Sequence, residues 1–293
     1  MSFPPPLRSI VVLAGLLAAG CSPARVPAPA ADEAAALKLR ETLRAAAGEA
    51  SGPAAAAAAG TGWATLKGRF VFAGTPGEAR ALVADKDTEV CGKTAKLFDR
   101  SLLVDSSTKG LANVVVFARK TSRVKDPGPG PQVVFDQKNC EFLAPVFAAR
   151  VGQPIDIRNS DPVGHNTNIS GSDFNQLIPA GGGLAYAAKA ETGMPTMVTC
   201  NVHPWMKAYM VFRKDGYVAV SAADGSFTIP DLPAGEPLEF QVWHERATGA
   251  NGALGLAKPD LQWTPKGRFQ IKLEENEEKD LGTLEVPASA LGT

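Results

Sequence analysis

The chain has 293 residues, long enough for one large domain or two ordinary ones plus an extension. Basic and acidic side chains each number 30, so the formal net charge is zero, and this balance excludes the basic surface typical of proteins that bind nucleic acids. Hydrophobic residues make up 45% of the chain, as in ordinary globular proteins. The 29 Gly and 23 Pro residues favour a turn-rich β protein over a helical bundle.

The N-terminal segment has the pattern of an export signal. Arg8 precedes the apolar run 10–17, which is too short to remain as a membrane span. The run ends in Ala-Ala-Gly-Cys21, which resembles the signal of bacterial lipoproteins, whose cysteine receives lipid. We therefore expect residues 1–20 to be a signal peptide and Cys21 to be lipidated. A plain secretory signal with an incidental cysteine is the alternative, and either signal takes the chain into a compartment where disulfides form.

Residues 21–62 are rich in Ala and Pro and read as a tether. Residues 31–50 contain good helix formers without a wide apolar face, and the six alanines after Pro53 are low in complexity. A spacer that holds a folded part away from the membrane is one interpretation, and a tail without a role is the other.

The body of the chain reads as β-strands separated by turn signals about ten residues apart, a spacing that favours a sandwich over a parallel α/β sheet. The predicted strands cover residues 63–72, 111–118, 146–150, 155–158, 167–170, 185–190, 196–200 and 208–213. No sustained helical periodicity follows residue 63.

A second module is predicted at 215–293, after a first module at 63–214. Asp224-Gly225 is a hairpin signal between residues 218–220 and 227–229. Residues 224–235, Asp-Gly-Ser-Phe-Thr-Ile-Pro-Asp-Leu-Pro-Ala-Gly, resemble the carboxypeptidase regulatory-like family, which implies a small transthyretin-like sandwich. These strands could instead extend the first sandwich.

The residues that carry chemistry lie in one short segment. Cys200, His203 and Met206 have the spacing C-x2-H-x2-M, which places a thiolate, an imidazole and a thioether on one tight loop. Such a set lacks one nitrogen for a trigonal copper site with a weak axial ligand. His165, followed by Asn166, supplies that nitrogen.

With these residues in view, the chain resembles the cupredoxins, and its ligand loop matches the amicyanin and pseudoazurin branch. The matching residues are 151–159, His165-Asn166 and 200–206. The wider arrangement is similar to bacterial lipoproteins labelled plastocyanin-like or methylamine-utilisation proteins. The resemblance implies an all-β protein, with a cupredoxin-like Greek-key β-sandwich before the small transthyretin-like one.

The resemblance also implies one mononuclear copper ion, cycling between Cu(I) and Cu(II), with His165, Cys200, His203 and Met206 as ligands. Asn166 resembles the asparagine that braces cupredoxin ligand loops. The family usually has Ser or Thr after the copper cysteine, whereas this chain has Asn201, so the partner of Asn166 stays open. Pro204 restricts His203 to extended backbone and should stiffen the loop.

Two cysteines remain once Cys21 is assigned to lipid and Cys200 to copper. A disulfide between Cys91 and Cys140 would close a loop of about 50 residues and contribute roughly 4 kcal/mol in the loop-entropy model. Two separate buried thiols are the alternative.

The expected function is single-electron transfer, not enzymatic catalysis, because three histidines are too few for a second, catalytic copper site. Redox proteins such as c-type cytochromes or a dehydrogenase are the expected partners, with no nucleic acid and with the membrane reached through lipid at Cys21. The expected location is the periplasm or cell envelope, and by analogy with bacterial lipoproteins Ser22, rather than Asp, after the lipidated cysteine favours the outer membrane. Zinc is the rival metal. The rival functions are copper storage or delivery and a non-redox interaction module.

Overall fold

The computed structural model describes residues 38, 62–93, 96–126 and 128–293. The predicted signal peptide and Cys21 lie outside the described residues, as does the predicted tether apart from residues 38 and 62. The regular secondary structure of the described part is almost entirely β-strand, which confirms the all-β prediction. Its helical turns are short: Thr88–Gly92, Ala250–Gly252, Pro259–Leu261 and Ala288–Leu291. Within this part, no helix combines the length and apolar character that crossing a bilayer needs.

The middle of the chain forms what we call the central sandwich. Its strands are β3 (Val133–Lys138), β4 (Glu141–Phe142), β5 (Val146–Arg150), β6 (Ile155–Asn159), β7 (His165–Ile169), β8 (Asn175–Ile178), β9 (Gly183–Tyr186), β10 (Thr196–Thr199) and β11 (Lys207–Arg213). One sheet has the order β5-β11-β10-β7-β8 and the other β4-β3-β6-β9. Alternate residues point inward, as Ile155 and Ile157 of β6 show, and they fill one apolar core.

Strands from residues 63–118 and 218–287 together form the terminal sandwich. Its strands are β1 (Trp63–Ala73), β2 (Val115–Ala118), β12 (Val218–Val220), β13 (Ser226–Pro233), β14 (Pro237–Trp243), β15 (Arg268–Lys272) and β16 (Glu278–Pro287). The sheets have the orders β13-β1-β16 and β12-β2-β14-β15. Every second residue of β1 is buried, including Leu66 and Phe70, because the strand has one face on the core.

Strand β2 is buried on both faces and joins the two sandwiches. Val116 and Ala118 face the terminal core. Val115 and Phe117 face the other way and pack with Val146, Val211 and Trp243 in a small cluster shared between the sandwiches. The continuous apolar sequence of β2 therefore reflects a sheet that is covered on both sides.

The strand pairing does not match the predicted division at residues 214 and 215. Strand β1 pairs with β13 and β16, and β2 pairs with β12 and β14, so residues 63–118 contribute strands to the terminal sandwich. The predicted hairpin at Asp224-Gly225 is also wrong. The tight turn forms, with the Gly225 N–H donating to the Ala222 carbonyl at 2.9 Å, but β12 pairs with β2 and β13 with β1.

Candidate metal centre

The central sandwich brings the predicted ligands to one end of its core. His165 is the first residue of β7, and Cys200 follows the last residue of β10, its antiparallel neighbour. His203 lies in the turn between β10 and β11, and Met206 directly precedes β11. The pairing of β7 with β10 therefore places His165 beside a loop that lies far from it in sequence.

The Nδ1 atoms of the two imidazoles and the Sγ atom of the thiol lie close together. The Nδ1 atoms of His165 and His203 are 2.8 Å apart, and the Cys200 Sγ lies 3.7 Å from the His203 Nδ1. The three side chains are buried, with 0%, 0% and 2% of the surface of His165, His203 and Cys200 exposed. One small ion could contact all three donors, because their ligand atoms lie within 4.8 Å of one another.

Both outer imidazole nitrogens donate to carboxylates. The Nε2–H of His165 donates to Asp161 Oδ2 at 2.7 Å, and that of His203 donates to Asp87 Oδ2 at 2.8 Å. A carboxylate only accepts hydrogen bonds when ionised, so each aspartate keeps the proton on Nε2. Each Nδ1 lone pair is thereby directed toward the other imidazole and Cys200, as in carboxylate–histidine–metal sites.

The pKa values of the two histidines are shifted in opposite directions. Burial alone would lower the pKa of His165, but hydrogen bonds to Asp161 and Cys200 outweigh it and raise the pKa to about 9. Burial, together with the nearby charge of His165, lowers the pKa of His203. The two pKa values therefore shift in opposite directions, although both imidazoles are buried and each is hydrogen-bonded to a carboxylate.

Cys200 lies among groups that favour its thiolate. Burial opposes ionisation of the thiol, yet hydrogen bonds from His165 and from backbone N–H groups lower its pKa. The backbone N–H groups of Asn166 and His203 donate to Sγ at 3.2 and 3.4 Å. A thiolate is the form of cysteine that binds metals.

Asn166 braces the loop that carries Cys200. Its Oδ1 accepts from the Asn201 backbone N–H at 3.1 Å, and its side-chain amide donates to Asn175 Oδ1 at 2.8 Å. These contacts identify the partner of Asn166, which the sequence left open. The backbone N–H of Asn201 thus donates the hydrogen bond to Asn166, although cupredoxins usually have a Ser or Thr hydroxyl at this position.

The other predicted residues occupy distinct positions around the loop. Met206 is buried in the same core as Cys200, and backbone hydrogen bonds join it to Cys200 at 3.2 Å and to His203 at 2.9 Å. Pro204 is exposed. The Trp205 ring lies 5.0 Å from the His203 ring, and its Nε1–H donates to the Cys140 carbonyl at 3.1 Å.

The predicted disulfide between Cys91 and Cys140 is confirmed, with the two Cα atoms 5.5 Å apart. Cys200 is the free cysteine of the described residues. A second group of donor atoms, from Cys140, Asp161 and His165, also lies close together. It offers no separate metal site, because Cys140 is bonded to Cys91.

Sequence reasoning missed both aspartates. Asp161 precedes His165 by four residues, and its carboxylate also accepts the N–H groups of Asn139 and Cys140 at 2.7 and 2.8 Å. Because Asp161 lies so near His165 in the sequence, it could have been named as a hydrogen-bond partner of that predicted ligand. Asp87 lies 116 residues from His203, and no local pattern connects the two.

The donor set fits copper. Two imidazoles and a thiolate, with a thioether in the same loop, suit both oxidation states of copper, whereas structural zinc takes four strong donors.

No protein-family model matches the chain, and the comparison with curated proteins found no match. Solved structures give partial likenesses. The reduced P52G mutant of amicyanin is 14% identical with a TM-score of 0.26, covering 31% of this chain and 97% of that one. Amicyanin from Paracoccus versutus is 15% identical with a TM-score of 0.25, covering 33% and 97%. A copper-containing nitrite reductase from Thermus scotoductus SA-01 is 16% identical with a TM-score of 0.26, covering 32% of this chain and 25% of that one.

Proposed function

We propose that this protein is a single-electron carrier that holds one copper ion through His165, Cys200 and His203, with Met206 as a weak axial ligand. The observation that carries the proposal is the convergence of two imidazole Nδ1 atoms and a thiol Sγ in a buried site. Both imidazoles have their outer nitrogens held by carboxylates. Copper bound there would supply one-electron exchange between its Cu(I) and Cu(II) states.

The surrounding residues suit a carrier because they resist rearrangement. An electron carrier works best when its ligands keep one geometry in both oxidation states. His165 belongs to a strand, Asn166 braces the Cys200 loop, and Met206 is tied to that loop by backbone hydrogen bonds. These restraints would limit rearrangement of the donors when a bound copper ion changes its oxidation state.

The test is the visible spectrum of the full chain loaded with Cu(II). The wild type should show an intense thiolate-to-copper band toward the red end, and Cys200→Ser should abolish it. His244→Gln is the matched control, because it removes the histidine that lies outside the site and should keep the band. A copper-loaded wild type without the band would contradict electron transfer through this centre. Stable copper binding without the band would favour the storage or delivery interpretation.

We also propose that the protein works outside the cytoplasm, anchored by lipid at Cys21, and exchanges electrons with redox proteins such as c-type cytochromes or a dehydrogenase. This proposal rests on the sequence Ala-Ala-Gly-Cys after a short apolar run. Cys21→Ser should release the protein from the membrane fraction, while Ser22→Ala should leave it there. If Cys21→Ser still fractionates with membranes, the lipid anchor is wrong.

A further inference from the structure

The two carboxylates that hold the ligand imidazoles differ in how they are supported. Asp161 is buried and accepts two backbone N–H groups besides His165. Asp87 comes from a segment that belongs to no strand, and 42% of its side chain is exposed. His203 itself has no exposed surface, so Asp87 stands between this histidine and solvent.

Residues 82–93, which we call the cap, carry Asp87 to this position. Leu82, Ala84 and Val90 of the cap pack with Val163 and Trp205 of the ligand side in a small apolar cluster that also contains both disulfide cysteines. Trp205 is next but one to His203, and its ring lies against that of His203. The cap therefore contacts the site through an apolar layer as well as through one carboxylate.

The disulfide connects the supports of both imidazoles. The Cys91 N–H donates to the Asp87 carbonyl at 2.8 Å, while the Cys140 N–H donates to the Asp161 carboxylate at 2.8 Å. One covalent bond thus joins the turn that presents Asp87 to the turn that fixes Asp161. The cap and the central sandwich are thus covalently linked beside both ligand histidines.

We propose that the cap closes the metal centre and that Asp87 is the positioning residue that holds His203, with the Cys91–Cys140 disulfide keeping the cap docked. The proposal rests on the proposed function, because His203 is taken as a metal ligand. Asp87 has no contact with the ion in this view; it acts through the orientation of the imidazole. Loss of such a partner of a metal-bound histidine typically lowers metal affinity about 10–100-fold.

Two substitutions test the side chain of Asp87 separately from its backbone conformation. Asp87 is left-handed, with φ 46° and ψ 43°, a conformation that Gly and Asn both tolerate. Asp87→Asn keeps a side-chain oxygen that can accept from His203, and Asp87→Gly removes it. Asp85→Gly is the matched control, since it also places a glycine in the cap, at an exposed carboxylate that is not a hydrogen-bond partner of either ligand histidine.

The first measurement needs no metal. The copper-free full chain is treated with diethylpyrocarbonate, and modified histidines are located by peptide mass spectrometry. His203 should stay protected in the wild type, Asp87→Asn and Asp85→Gly, and should be modified in Asp87→Gly. His244, buried in the terminal sandwich, reports folding and should stay protected throughout.

The second measurement uses copper. Asp87→Gly should lose about 10–100-fold in copper affinity and change the copper hyperfine splitting in electron paramagnetic resonance, and Asp87→Asn should restore both. If Asp87→Gly matches the wild type in labelling, affinity and spectrum, the proposal is overturned and the copper site still stands. If the wild type binds no copper, the proposed function fails, and the labelling alone decides whether the cap covers His203.

Native reduction supplies a test that does not depend on the variants folding. Dithiothreitol converts the disulfide to two thiols and is itself oxidised to a cyclic disulfide. In the wild type, His203 should then become reactive while His244 stays protected. If His203 stays protected with both cysteines reduced, the disulfide does not hold the cap.

Discussion

The central sandwich buries His165 and His203, the terminal sandwich buries His244, and His165 and His244 have pKa values shifted in opposite directions. His165 and His244 are 0% and 1% exposed. No carboxylate of the described residues hydrogen-bonds to His244; its Nδ1 accepts the Arg246 N–H at 3.2 Å, and burial, with the charge of Arg246 nearby, lowers its pKa to about 4. His165 faces Asp161 and Cys200, and its pKa is raised to about 9. Burial alone makes a neutral core residue, and the carboxylate and thiol partners make a candidate ligand.

The largest expected effect tests whether the two sandwiches unfold together. Phe135 and Phe240 are matched: each is fully buried, and their rings stack on Phe142 at 5.2 Å and Phe269 at 5.1 Å. Changing either to Ala should lower the free energy of unfolding by about 3–5 kcal/mol. Because β2 is buried on both faces, denaturant unfolding should stay a single transition in both variants. Separate transitions for fluorescence and circular dichroism would show that the two cores are independent.

Removing the disulfide should have the next largest effect. The double variant Cys91→Ser/Cys140→Ser should lose about 2–5 kcal/mol of unfolding free energy, because the closed loop no longer restricts the unfolded chain. Cys21→Ser is the control, since it removes a cysteine and leaves the disulfide intact. Chemical denaturation of the copper-free chains measures both. Equal midpoints for the double variant and the wild type would contradict the expected stabilisation.

The pH dependence of stability should depend on His244. Its pKa is about 4 when folded and about 6.5 when unfolded, so between these values the unfolded chain binds more protons. The stabilisation is therefore complete above pH 6.5 and is lost as the pH falls through 4, by up to ~3 kcal/mol. His244→Gln should flatten the unfolding free energy over this window. An unchanged profile would mean that His244 is not buried in its neutral form.

The smallest expected effect distinguishes two buried methionines of the central sandwich. Met206 and Met210 are 2% and 0% exposed. Changing either to Leu nearly conserves volume and should cost less than about 1.5 kcal/mol. Met206→Leu should keep copper but shift its reduction potential, because the axial bond is long and weak. Met210→Leu should leave the potential unchanged, and equal shifts in both variants would remove the axial role from Met206.

Local sequence patterns predicted most strands, and they singled out His165, Cys200 and His203, whose ligand atoms lie together in the structure. The C-x2-H-x2-M spacing and the His-Asn pair carry their chemistry within a few residues. The features that the sequence did not predict depend on contacts between residues far apart in the chain. Asp87 reaches His203 only because the cap docks, and the placement of β1 and β2 depends on partners at the other end of the chain. The turn at Asp224-Gly225 was visible, but the strands on either side of it pair with different neighbours because long-range register decides the sheet.

The position of β1 has a consequence for how the protein is made. β1 lies between β13 and β16, and one of its side-chain contacts, from Lys67 to Glu278, joins residues 211 apart. During synthesis β1 emerges early, and its neighbours emerge last. Until then both of its edges lack partners, and such edges invite association with other chains. A fragment that ends at Arg213 would keep this hazard permanently, because it contains β1 without either of its neighbours.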